Sequence, residues 1–224
     1  MTKLQEAYKM TGGVSDTSKM PCYSWGIPTS TCRRAKQLMV DEPNSICGSC
    51  YAMKGAYNWA NVDNAYRCRY NSWKSLPQQE WVNYMVTILD SQKVSKSGYF
   101  RWFDSGDIQS LSMIYQLIQI AERTPNMKHW VATREYKYID RTMTEYIPDN
   151  MVFRLSHTNV DELDEVVSKT VDDKNINESA VVSTKDLKLT PKQFTCPSIY
   201  QHGECLDCRA CWNSKVKQVA YVLH

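Results

Sequence analysis

The stretch TCPSIYQHGECLDCRACW, residues 195–212, limits this chain more than any other. It carries Cys196, Cys205, Cys208 and Cys211. Thiols two residues apart on a tight turn can reach one ion or one cluster, and a Cys-x2-Cys-x2-Cys run is the pattern that wraps an iron–sulfur cube. Zinc also takes four-cysteine sites, usually as two separate Cys-x2-Cys knuckles. Structural cysteines bury one at a time and rarely gather like this.

A second set lies near the other end. PCYSWGIPTSTCRRAKQLMVDEPNSICGSC, residues 21–50, holds Cys22, Cys32, Cys47 and Cys50, and Pro21, Pro28 and Pro43 interrupt any long helix. An irregular segment of this length needs something to order it. One metal held by all four cysteines would do so, the Cys47–Cys50 pair being the firmest part. The ninth cysteine, Cys68 in AYRCRYNSW, stands alone and is read as an unligated thiol. An odd count with no apolar leader in MTKLQEAYKMTGGVSDTSKM favours metal over disulfides.

Between the two sets the pattern alternates. YFRWF (99–103), KHWVAT (128–133), MVFRLS (151–156) and SAVVST (179–184) read as strands. Residues 110–125, 136–147 and 161–171 read as helices between them, with Leu111, Ile114, Tyr115, Ile118 and Ala121 facing inward on the first. Upstream, helices are expected at 62–73 and 77–92, the second with Trp81, Met85, Ile88 and Leu89 on its core face. VKQVAYVL (216–223) can close the sheet, and His224 ends the chain. Residues 1–20 read as an arm or a loose first element. The expected fold is α/β, a partial (β/α) barrel or an open parallel sheet, with cysteine-rich ends binding metal clusters. A closed eight-stranded barrel takes about 250 residues. One domain over 1–224 is expected, with a cysteine-rich segment 1–56, a βαβ core 57–190 and a cluster segment 191–224.

Parallel α/β folds gather their chemistry where strands end. Here that rim holds Asp104-Ser105-Gly106-Asp107, Arg134-Glu135, His157 and Lys185-Asp186. Asp104, Asp107, Arg134 and Glu135 are the candidate catalytic residues, and Ser105 and Gly106 are candidates for close approach to a cofactor. Asp107 would serve equally as a helix cap. Arg101 and Arg154 fall inside strands and need partners; Asp104 and Glu135 are the expected ones.

TSKMPCYSWGIP, CGSCYAMKGAY, FRWFDSGDIQS, HWVATREY and CLDCRACW with VAYVLH together resemble the gene product 88 family of tailed bacteriophages, from about residue 18 onward. The resemblance implies phage origin, residence in the host cytoplasm and iron–sulfur ligation by Cys22, Cys32, Cys47, Cys50, Cys196, Cys205, Cys208 and Cys211. CGSCY also looks like the second half of a radical-SAM cysteine motif, although the Cys-x3-Cys-x2-Cys run of that class is absent.

Three functions follow as expectations. The first is an iron–sulfur redox or radical-type enzyme, with one or two four-iron (4Fe-4S) clusters, S-adenosylmethionine (SAM) as a conceivable ligand and a small-molecule substrate. The second is a non-catalytic module stapled by iron–sulfur or zinc that binds a host protein or nucleic acid. The third, a metal hydrolase built on Asp104 and Asp107, lacks a histidine-rich ligand set. Charge gives no support to nucleic-acid binding: the formal net charge is +3, and Lys93, Lys96, Arg101, Lys128 and Lys137 form no stripe. No apolar run is long enough for a membrane span.

Overall fold

Side chains on strand β3 (Tyr99–Trp102) point alternately to two different cores, and this alternation organises the molecule. Phe100 and Trp102 join the larger core beneath the helices, whereas Tyr99 packs with Trp130, Cys211 and Trp212 on the opposite face. The computed structural model describes residues 1–171 and 174–223. His224 lies outside them.

The chain begins with helix α1 (Lys3–Thr11), not a loose arm. A capping box between Thr2 and Gln5 starts it, and Gly12 at φ 74° ends it in the left-handed region. Strands β1 (Ser15–Asp16) and β2 (Tyr23–Trp25) follow, then α2 (Arg33–Asp41). Helix α2 falls inside the segment expected to be a loop. It buries only Leu38, so it lacks the apolar period by which a helix is read. Helices α3 (Ala60–Ser75), α4 (Gln78–Leu89) and the short α5 (Gln92–Ser95) lead to β3. Trp81, Met85, Ile88 and Leu89 of α4 are all buried, as their spacing requires.

Helix α6 (Leu111–Arg123) and β4 (Lys128–Thr133) come next. Ile114, Ile118 and Ala121 are buried, but Leu111 and Tyr115 are exposed; Met113, Leu117 and Ile120 complete the inner face instead. The helix expected at 136–147 does not form. Two tight 3₁₀ turns, Tyr136–Tyr138 and Arg141–Glu145, replace it. Tyr136 and Tyr138 direct their hydroxyls to the backbone oxygens of Ser156 and Gln109, and Asp140 caps the second turn through Thr142 N. These side-chain bonds compete with the helical ladder. Strand β5 (Met151–Val160), α7 (Glu165–Thr170), β6 (Ile176–Val182), β7 (Gln193–Thr195) and β8 (Gln218–Val222) finish the chain.

The strands form one eight-stranded sheet in the order β1-β2-β3-β4-β5-β6-β8-β7. Among the described residues only the β1–β2 pair is antiparallel. Among the described residues β1 and β7 are free edges, so the sheet is open. Helices α4 and α6 cover one face, and the C-terminal cysteine segment packs against β4 and β5 on the other. The strand ends, with the loops 103–110 and 134–145, form the rim between them.

Candidate metal centre and strand-end rim

The eight candidate cysteines sort into a group of three and a group of five. Burial pushes up the Cys32 thiol, and Asp107, Cys50, Cys47 and Glu135 lie close enough to push it further. Cys22 is not in that set. It is buried with Cys211, Trp130 and Trp212, and the charge of Cys205 acts on it directly. Cys22 thus packs beside the C-terminal cysteines, while Cys32 lies with Cys47 and Cys50. Strand β2 carries the chain from the sheet face at Cys22 toward the rim at Cys32.

The group of three sits on the rim. Cys32 immediately precedes α2, whose Arg34 N–H donates to Glu135 Oε1 at 2.8 Å. The turn bearing Cys47 and Cys50 is pinned at Ile46, whose N–H donates to Thr158 O at 2.9 Å. Its tightness depends on Gly48: a Cβ there would lie 2.0 Å from Pro43 O. Burial raises the Cys47 thiol, and Arg134 and Arg34 partly offset that.

The group of five lies under the sheet. Cys205 N–H donates to Lys19 O at 3.0 Å, Cys208 N–H to Cys205 O at 2.9 Å, and Cys196 N–H to Ala220 O at 2.7 Å. Burial pushes Cys22 and Cys211 up to about 12. Cys205 is raised by burial and then by Cys196 and Cys208. Among the described residues no three His, Cys, Asp or Glu side chains converge on the position of a single metal ion. A cube spreads its thiolates over a wider shell than one ion does. The donor chemistry, thiols without histidine, fits iron–sulfur ligation.

Arginines surround the group of five. Arg154 is fully buried and pairs with neither Asp104 nor Glu135, contrary to expectation. Its donors go to five carbonyls: those of Cys211, Ala210, Asn213, Val216 and Glu178, at 2.8–3.3 Å. Arg101 lies 4.6 Å from the Trp130 ring centroid and donates to Tyr51 Oη at 3.0 Å. Arg209 sits 5.2 Å from the Tyr99 ring.

The rim residues divide by role. Asp107 Oδ1 accepts from Thr133 Oγ1 (2.5 Å) and Ile108 N (2.7 Å), and its Oδ2 accepts from Arg134 N (2.9 Å). Burial lifts its carboxyl to about 6 against the pull of these bonds. Glu135 is buried and occupied by the start of α2, which makes it a positioning group. Arg134 Nε donates to His157 O at 3.1 Å, while its two terminal nitrogens have no protein partner among the described residues. His157 lies within β5, not beyond it, and is buried between Glu178 (2.8 Å) and the Asp164 N–H (2.8 Å). Lys185 and Asp186 are exposed beside Cys196, around a cavity of about 390 Å³.

Asp104 faces away from Asp107. Its Oδ2 accepts from Tyr66 Oη at 2.9 Å and its carbonyl from Tyr51 Oη at 2.9 Å. Oδ1 is buried without a partner, and a Cβ on Gly26 would come within 2.2 Å of it. Phe103, at φ 59°, and Gly106, at φ 81°, bend this loop. Ser105 lines a cavity of about 310 Å³ with Thr29, Tyr57, Asn58 and Tyr66. The tyrosines at 51, 57 and 66 were not anticipated as site residues. Tyr51 adjoins Cys50 in sequence, which was the available signal.

The family model described as Gene product 88 matches residues 2–214. The chain belongs to the gene product 88 family. The match covers all eight candidate cysteines and the whole rim. Neither the curated proteins nor the solved structures give a match. Among the described residues no helix is long and apolar enough to cross a membrane.

Proposed function

We propose that this gene product 88 protein is a two-site iron–sulfur protein of the redox or radical type, working in the host cytoplasm. The single observation that carries the reading is the sorting of eight cysteines into three and five. Cys32, Cys47 and Cys50 would hold a four-iron cluster by three thiolates, leaving one iron open at the rim. Cys196, Cys205, Cys208 and Cys211, with Cys22 beside them, would hold a closed cluster. An open iron can bind a substrate or SAM, and a closed cluster moves electrons.

The chain's own residues support a substrate there. Among the described residues the terminal nitrogens of Arg134 have no partner, and its charge acts on Cys47; its planar fork suits a carboxylate. Asp107 holds the Arg134 backbone in place and, with its carboxyl lifted to about 6, can carry a proton near neutral pH. The cavity by Ser105 and Tyr57 adjoins this group, because the Cys50 thiol acts on Tyr57. Anaerobic reconstitution followed by electron paramagnetic resonance with and without SAM tests the reading. A SAM-dependent change in the signal supports radical chemistry; an unchanged spectrum removes SAM and leaves electron transfer.

One observation favours a second reading. Asp107 and Glu135 are both engaged in positioning bonds, as in a non-catalytic module stapled by iron–sulfur or zinc that engages a host protein. Brown protein absorbing near roughly 400 nm favours the first reading. Colourless protein containing zinc favours the second.

A further inference from the structure

The group of five cysteines sits among arginines that make no direct ion pair, although the charge of Asp104 reaches Arg101. Arg101, Arg154 and Arg209 form no ion pair among the described residues. Buried charge without a counter-ion is costly, and it persists where something else offsets it. Arg154 is offset by five carbonyls, whereas half-buried Arg101 has only the more distant charge of Asp104 and no direct ion pair. Its Nε is buried with no partner, its Nη1 faces Met20 Sδ at 3.2 Å and its Nη2 meets the neutral Tyr51 hydroxyl. The Arg101 backbone N–H also donates toward the Cys22 sulfur, and its guanidinium charge acts on Cys22 and Cys205.

We propose that Arg101 is a preset countercharge for an anionic thiolate cluster on the five-cysteine group, and that it sets that cluster's reduction potential. The inference rests on the proposed iron–sulfur reading. It goes beyond it by making this site an electron acceptor tuned by the protein, not a staple. The step is a single electron transfer: a one-electron donor of the dithionite or flavodoxin class is oxidised, the cluster is reduced, and no bond breaks. The site then gains one negative charge, so a fixed cation nearby favours the reduced form. Arg209 acts in the same sense from the edge of the site.

The test is a potentiometric titration of anaerobically prepared protein, followed by electron paramagnetic resonance, with iron content measured on each sample. Arg101→Met should keep its iron and shift the potential of one signal to more negative values. Arg101→Lys, which restores the charge, should return it toward the wild type. Arg209→Met, at a half-buried position, should shift the same signal in the same direction by less; it carries the test alone if Arg101→Met loses iron. Full iron with unchanged potentials in these variants overturns the proposal. Wild-type protein without iron overturns it differently, by removing the reading on which it rests.

Discussion

Arg154 Nε donates to the carbonyl of Cys211 at 2.9 Å, from a fully buried side chain in the middle of β5. The four remaining bonds of that guanidinium reach Ala210, Asn213, Val216 and Glu178. One side chain thus closes the C-terminal cysteine loop onto the sheet. Arg154→Met would take the side-chain donor from all five carbonyls, of which Ala210 O and Asn213 O would keep the backbone bonds from Asn213 N and Val216 N. We expect a loss of roughly 3–5 kcal/mol, from the cost of orphaned buried acceptors. Urea unfolding of the variant against the wild type measures it. A loss below about 1 kcal/mol, the worth of one ordinary hydrogen bond, would mean that the loop is held by other contacts.

Gly26→Ala tests the packing of the rim. The added Cβ would lie 2.2 Å from Asp104 Oδ1 and 2.8 Å from Ser105 O. The loop 104–107 must move or the helices beneath it must strain. The expected cost is roughly 1–3 kcal/mol, read as a lower melting temperature. Cys68→Ser serves as a control, since Cys68 is exposed on α3. It should change stability by less than about 0.5 kcal/mol and leave iron content untouched.

His129 predicts an acid-sensitive core. Trp102 Nε1 donates to its Nδ1 at 3.2 Å, and its Nε2 lies 2.9 Å from Thr124 Oγ1, whose own proton goes to Ile120 O. Only the neutral ring with its proton on Nε2 satisfies this chain. Burial pushes the pKa down from 6.5 to about 3. The folded state therefore binds the proton less readily than the unfolded state. Its contribution to stability is whole above 6.5 and is lost as pH falls toward 3, at up to about 1.4 kcal/mol per pH unit. Unfolding midpoints at neutral and acidic pH, compared with those of His129→Gln, isolate this slope. Equal slopes in the two proteins would contradict it.

Much of the sheet could be read from sequence. The β4 strand has the bounds of its apolar run, 128–133, because it is central and buried. Helix α2 could not be read, since RRAKQLMVD shows one buried residue and no period. Residues 136–147 carried a helical pattern, but two tyrosine hydroxyls and the Asp140 cap found better partners elsewhere. The cysteines were visible, whereas their grouping was not. Spacing along the chain cannot show that β2 separates Cys22 from Cys32, or that the loop 196–211 lies under the same sheet face as Cys22. The partners of Arg154 were misjudged for a similar reason, whereas Asp104 does act on Arg101, without a direct ion pair. A buried strand arginine can be satisfied by carbonyls and hydroxyls, which carry no sequence signal.

Removing one group should spare the other. Cys47→Ser should lose about half of the iron and keep the signal of the five-cysteine site, while Cys208→Ser should do the reverse. Loss of all iron from either variant would mean that the thiols act as one assembly.

The measurement that bears most directly on the central claim is iron and acid-labile sulfide in anaerobically purified wild-type protein. Two four-iron clusters give about eight of each per chain. Protein that is free of iron and sulfide under those conditions, whether empty or holding zinc, would contradict the account.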